Sequence, residues 1–102
     1  MLPFDRLEKS NKTDNLWIYI LSLLKERVIY GWEIPALIEK RFGFKTGKIT
    51  PYRVLYRLEQ TGFVKSKTEE KRRNYKITEK GKKELELAKE FYREVLKKIG
   101  QY

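Results

Sequence analysis

The stretch Leu16 to Leu24, "LWIYILSLL", constrains the fold more than any other. On a helix of about 3.6 residues per turn, Leu16, Trp17, Ile18, Ile20, Leu21, Leu23 and Leu24 leave almost no polar face. A helix of this kind, expected over about Asn15 to Glu26, belongs inside a core or between subunits. It is far shorter than the roughly 20 apolar residues of a membrane span. Asp14 or Asn15, at the end of the polar cluster "SNKTDN", can cap its start.

The rest of the chain is punctuated into elements that can pack around this helix. "RVIYG" is a short β-type stretch ended by Gly31. "WEIPALIEKRF" is a second helix, with Pro35 in the first turn, where a missing N–H is tolerated, and Ile34, Leu37, Ile38 and Phe42 as its inward stripe. "GFKTGK" breaks it. A phosphate-binding loop is rejected there, because the glycine spacing is one residue short and Ile49 stands where Ser or Thr would bind magnesium. "TPYRVLYRLEQ" is a third helix, with Thr50 as N-cap, Pro51 at the first position, Val54, Leu55 and Leu58 inward, and Gly62 as a left-handed stop.

Phe63–Lys67 and Asn74–Ile77 partly alternate and are rich in β-formers. "EEKRR" between them makes a hairpin tip carrying Lys71, Arg72 and Arg73. A last helix is expected from the Thr78 cap to about Ile99. Its Leu85, Ala88, Tyr92, Val95 and Ile99 are spaced 3 and 4 apart, a heptad seam. Leu87, Phe91 and Leu96 widen that face. At about 33 Å the helix is too long for a three-helix core to cover, so its free part is expected to meet a second copy of the chain.

Charge and missing residue types narrow the chemistry. The 102 residues carry a net +10 and contain no Cys and no His. Zinc fingers, iron–sulfur sites, disulfides and histidine triads are thereby excluded, and the scattered carboxylates have no metal-ligand spacing. No nucleophile sits with a base, so no enzyme, cofactor or metal site is expected. "MLPFDRLEKSNK" lacks the pattern of a signal peptide, and a cytoplasmic protein without membrane association is expected. Between Lys45 and Lys83 stand 13 Lys and Arg against 4 Asp and Glu; the remainder is nearly balanced. A basic excess confined to one segment suggests a polyanion partner.

Three helices followed by a β-hairpin, the third helix capped and basic, is the order of a winged helix-turn-helix. The fold class expected is therefore mainly α with a small hairpin and a long C-terminal dimerisation helix. The units are an N-terminal arm (1–14), a winged helix-turn-helix (15–78) and the dimerisation helix (79–102). In this arrangement the third helix enters the major groove of double-stranded DNA and the hairpin wing reaches phosphates or the minor groove. Arg53, one turn into the helix, is the candidate for a base, because its planar fork suits guanine O6 and N7. Arg57, Lys48 and Thr50 are candidates for phosphate, and Tyr56 for sugar or phosphate. Tyr52 either faces DNA or packs under the second helix. Lys67, Lys71, Arg72 and Arg73 are wing candidates for the backbone, opposed by Glu69 and Glu70.

These stretches also resemble the PadR-like transcriptional regulators. Gly31-Trp32-Glu33-Ile34 matches the family's Gly-aromatic-Glu-Ile motif. Thr50, Tyr52 and Leu55 match its recognition helix, and Arg57-Leu58-Glu59 with Gly62 match the run before its glycine. Tyr75, Ile77, Thr78 and Gly81 match the wing end. The resemblance covers about residues 15–100 and implies a homodimer built through the last helix, binding a palindromic operator, usually as a repressor. The chain departs from the pattern in having no wing glycines, in Tyr30 before Gly31, and in Pro51 and Arg53. Some small members bind flat aromatic compounds near a tryptophan on the last helix. That helix has Phe91 and Tyr92 instead, so an effector is left open. The alternatives are a non-specific architectural DNA binder and a winged-helix protein-interaction module.

Overall fold

The computed structural model describes residues 1–100. The chain order is α1 (Pro3–Lys12), α2 (Leu16–Glu26), β1 (Ile29–Tyr30), a 3-10 turn (Gly31–Glu33), α3 (Ile34–Phe42), α4 (Thr50–Gln60), β2 (Val64–Glu69), β3 (Arg72–Ile77) and α5 (Glu79–Ile99). Its mainly helical content, small antiparallel sheet and long last helix are those of a winged helix. The expected C-terminal unit, 79–102, ends two residues beyond the described range.

The all-round apolar α2 is central, as its composition requires. Leu16, Ile20, Leu21, Leu23 and Leu24 are buried, and Trp17 and Ile18 pack against the same core. α3, α4, α5 and β3 surround it. α3 contributes Ile34 and Ile38 fully, with Leu37 and Phe42 half-buried; α4 contributes Leu55 and Leu58, with Val54 half-buried. Each such Leu or Ile stabilises the fold by about 1.5–3 kcal/mol through apolar area removed from water.

The helix ends follow their local chemistry, with one shift. Gly43 (φ +78°) and Gly62 (φ +84°) end α3 and α4 in the left-handed region. After α4 the Phe63 N–H donates to Leu58 O at 2.8 Å and the Gly62 N–H to Glu59 O at 3.1 Å, which satisfies two orphan carbonyls. At the other end α4 starts one position earlier than expected. Ile49 is the flanking residue, its carbonyl accepts from the Tyr52 N–H at 3.0 Å, and Thr50 is already helical rather than the cap. Asn15 flanks α2, but its side-chain amide donates back to Ser10 O instead of capping.

Two elements exceed the expectation. The N-terminal arm is a ten-residue helix. Pro3 occupies its first turn, and the Asp5 carboxylate accepts from the Leu2 N–H at 3.1 Å. No residue of α1 is buried, so local signals alone leave it marginal. It is held laterally: the Tyr92 hydroxyl donates to Asn11 Oδ1 at 2.8 Å, and Lys12 Nζ lies 5.9 Å from the Phe44 ring centroid. The second is β1: the β-type stretch expected at "RVIYG" also pairs with β3, which makes the hairpin a three-stranded antiparallel sheet of order β1-β3-β2, with Ile29 opposite Tyr75 and Tyr30 opposite Asn74.

The wing is longer and its tip tighter than expected. Glu69 pairs with Arg72, so only Glu70 and Lys71 turn the chain, at φ +49° and +65°. Arg72 and Arg73 therefore lie in a strand and not in the tip. A two-residue loop with both φ positive has the twist that antiparallel strands need, and is normally Asn-Gly. Glu70→Asn with Lys71→Gly should raise unfolding stability by about 1 kcal/mol, since side chains pay a steric penalty in this region. Urea titration checks this, and a loss of stability would contradict the turn geometry.

The joint between the wing and α5 is closely fitted. Thr78 N–H donates to Phe63 O at 3.1 Å and Thr78 Oγ1 donates to Gly62 O at 2.7 Å. Thr78 Oγ1 also accepts from the Gly81 N–H at 3.0 Å, which caps α5 as expected. Lys80 Nζ donates to Thr61 O at 2.6 Å and lies 4.7 Å from the Phe63 ring centroid, a cation at the C-terminus of α4.

Candidate nucleic-acid interface

The exposed surface of α4 is built by spacing. Ile49, Arg53 and Tyr56 stand at i, i+4 and i+7, so they form one stripe along the helix. Tyr52 and Arg57 flank it, and the five residues line a single shallow concavity. Ile49 is 67% and Tyr56 63% exposed. Val54, Leu55 and Leu58 take the opposite side, which holds the helix against α2. Of the candidates read from sequence, Arg53, Tyr56 and Arg57 thus share one surface with Tyr52, while Thr50 is half-buried and Lys48 exposed just before the helix. Ile49 was not among the candidates. With Thr50 as the expected cap it stood outside the helix, and only the shifted start shows it on the outward stripe.

Tyr52 is exposed on one side and packed on the other. The residue is 45% exposed, and its ring passes so close to Gly31 that a β-carbon there would lie 2.9 Å from Tyr52 Cε1 and 3.2 Å from Tyr75 Cε2. Gly31 is thus the place where the start of α4 approaches the sheet. Burial raises the Tyr75 phenol above its ordinary value, and the neighbouring Arg73 partly offsets this.

Strand alternation divides the wing candidates. Tyr75 and Ile77 are buried, so Arg73 shares their face of β3. Lys67 and Arg72 project from the other face, together with Lys65 and Lys76, which pair directly across the strands. The four wing candidates are therefore not one cluster: Lys71 is in the turn, Lys67 and Arg72 share a face, and Arg73 lies opposite. Lys67 is also paired with Glu69 at 3.3 Å, an exposed contact worth little. The Arg72 guanidinium lies 5.9 Å from the Trp32 ring centroid, and Trp32 is itself exposed. Lys65 and Lys76 were not among the candidates, because their side of the hairpin depends on register, which the sequence leaves open.

The last helix separates into two parts. Leu85 is 3% exposed and belongs to the chain's own core, so it is removed from the expected outward seam; Ala88 is half-buried. Tyr92, Val95 and Ile99 are exposed, as are Phe91 and Leu96. With Phe4 and Leu7 of α1, and Tyr19, they line an apolar cleft of about 590 Å³. Among the described residues no helix is long and apolar enough to cross a membrane, and no cluster of His, Cys, Asp or Glu is arranged to hold a metal.

Comparison with solved structures places this geometry. A transcriptional regulator from Clostridium thermocellum is 34% identical, with a TM-score of 0.73 over 84% of this chain and 90% of its own. A PadR family transcription regulator from Clostridium difficile is 32% identical, with a TM-score of 0.74 over 83% and 94%. PadR of Bacillus subtilis, solved in complex with operator DNA, is 26% identical, with a TM-score of 0.63 over 70% of this chain and 43% of its own. No curated protein matches the chain. Residues 20–87, from the middle of α2 into α5, match the transcriptional regulator PadR-like family, and the chain belongs to that family.

Proposed function

We propose that this regulator binds double-stranded DNA sequence-specifically as a homodimer, with one α4 in the major groove of each half of a palindromic operator, and that it represses by occupying that site. The observation that carries the reading is the exposed α4 stripe, with Arg53 at its centre and Arg57 beside it, in the one segment of the chain with a large basic excess. The complex of Bacillus subtilis PadR with operator DNA supports it. Residues 15–78 are the DNA-binding unit and residues 79–102, with α5, the dimerisation unit, to which α1 adds Phe4 and Leu7. A second copy would cover the apolar cleft and set two recognition helices about 34 Å apart, one turn of DNA. Lys48 and Arg57 contact phosphate, and Lys67, Lys71, Arg72 and Arg73 supply backbone contacts from the wing. The setting is the cytoplasm.

The test is selection from a random duplex library at one near-physiological salt concentration, followed by fluorescence anisotropy on the selected and scrambled duplexes. A palindromic motif bound a hundredfold or more tighter than scrambled DNA is expected. Equal binding would favour the second reading, an architectural binder, for which the lysines on the outer wing face speak because lysine holds phosphate without reading bases. A winged-helix protein-interaction module would bind neither duplex. Occupancy should also lower transcription in vitro when the operator overlaps a promoter.

Arg53→Ala should relax selection at one base pair of each half-site by roughly 1–3 kcal/mol, while Lys71→Ala should weaken cognate and random DNA alike. Competition binding separates the two. Equal losses on both DNAs for Arg53→Ala would remove it from base readout.

A further inference from the structure

We infer that Ile49 reads a thymine methyl group, and that the operator therefore carries a thymine within one or two base pairs of the guanine read by Arg53. The inference rests on the DNA-binding function proposed above. Ile49 flanks the first turn of α4, the end from which a recognition helix reaches the base edges. It is a large β-branched side chain, 67% exposed, and it contributes nothing to the core. A water-facing isoleucine between Lys48 and the Arg53–Arg57 pair has one chemically matched partner on a polyanion. The major groove offers apolar surface at only one place, the C5-methyl of thymine. The charges around Ile49 favour DNA over an apolar protein surface as its occupant.

The helix geometry sets the spacing. Ile49 and Arg53 are four residues apart on one face, so their β-carbons are roughly 6 Å apart. Successive bases on a strand are about 3.4 Å apart. The two side chains thus meet bases one or two steps apart. Tyr56, the next member of the stripe, lies a further turn back and is better placed for sugar and phosphate.

The experiment replaces each thymine of the selected operator, one at a time, by deoxyuridine, which keeps the pairing and removes only the methyl. With the wild-type protein, one substitution in each half-site, within two pairs of the Arg53-dependent guanine, should weaken binding about fourfold, the effect of one buried methyl-sized group. Ile49→Ala should bind the thymine and uracil duplexes equally, while Ile49→Val should keep most of the discrimination. Both variants should unfold at the wild-type temperature, since Ile49 lies outside the core. Sensitivity that persists in Ile49→Ala would overturn the inference and leave the proposed function standing. The same holds if no thymine near that guanine is sensitive. A library selection that returns no motif would overturn both together.

Discussion

Replacing Phe91 and Leu96 together by glutamate should leave the chain monomeric and lower its affinity for a two-half-site duplex by at least about a hundredfold, while its affinity for a single half-site changes little. The two side chains are 65% and 69% exposed, so the protomer's own core does not depend on them. They lie on the apolar wall of α5 that faces α1. In a dimer each would be covered by the partner, and two carboxylates there would be desolvated without a cation to meet them. The affinity loss follows because the second half-site is reached at high effective concentration only when two recognition helices are linked, and that linkage is worth about 10²–10⁴ in binding. Sedimentation velocity reads the oligomeric state, and circular dichroism checks that the helices remain. A variant that stays dimeric, or a wild-type chain that is monomeric at DNA-binding concentrations, would remove α5 from the role proposed for it.

Gly81→Ala should cost about 3 kcal/mol of folding stability. Gly81 is helical, so alanine there should gain about 1 kcal/mol of propensity. The surroundings reverse the sign. A β-carbon at this position would overlap the Phe63 carbonyl oxygen and come within 2.8 Å of Ile77 Cγ1. Backbone cannot swing aside as a flexible side chain can, so the first turn of α5 must move away from the root of the wing, at about 3 kcal/mol for overpacking. That shift also loosens the bond from the Gly81 N–H to Thr78 Oγ1, a helix cap worth about 1 kcal/mol. Urea unfolding measures the difference, and for a domain of this size the melting temperature should fall by more than about 10 °C. A neutral or stabilising result would mean that the helix-to-wing contact is looser than the structure has it. Gly62 makes a useful comparison, because its requirement is conformational: its φ is +84°, and a β-carbon there would meet only the Lys80 side chain.

Much of the architecture was legible because it depends on signals that act over a few residues. α2 had to be central, since Leu16, Ile20, Leu21 and Leu24 leave it no face for water. Gly62 and Thr78 marked two helix ends through φ preference and hydroxyl geometry, and the structure keeps both. The inward sides of α3 and α4 followed from the same periodicity, and that in turn left Arg53, Tyr56 and Arg57 facing outward.

What the sequence left open depended on contacts between residues distant along the chain. α1 has a proline start and favourable terminal charges, but an isolated ten-residue helix is marginal in water, and the bond from Tyr92 to Asn11 spans 81 positions. The wing turn carries no glycine, so its two-residue length came from the pairing of Glu69 with Arg72. One residue of register moves every side chain to the other face of a strand, which is why Arg72 and Arg73 were grouped in sequence and are separated in space. Leu85 read as the first position of an outward seam because periodicity reports which residues share a face. It does not report where along a helix its own domain stops covering that face. Sequence by itself determined the order of the elements from α2 to α5, the buried sides of α2, α3 and α4, and the outward placement of Arg53, Tyr56 and Arg57 on α4, because propensity and hydrophobic period are local. Tertiary structure alone decided strand register, the anchoring of α1 and the point on α5 where the core ends, because these are set by packing between segments that meet only in the folded chain.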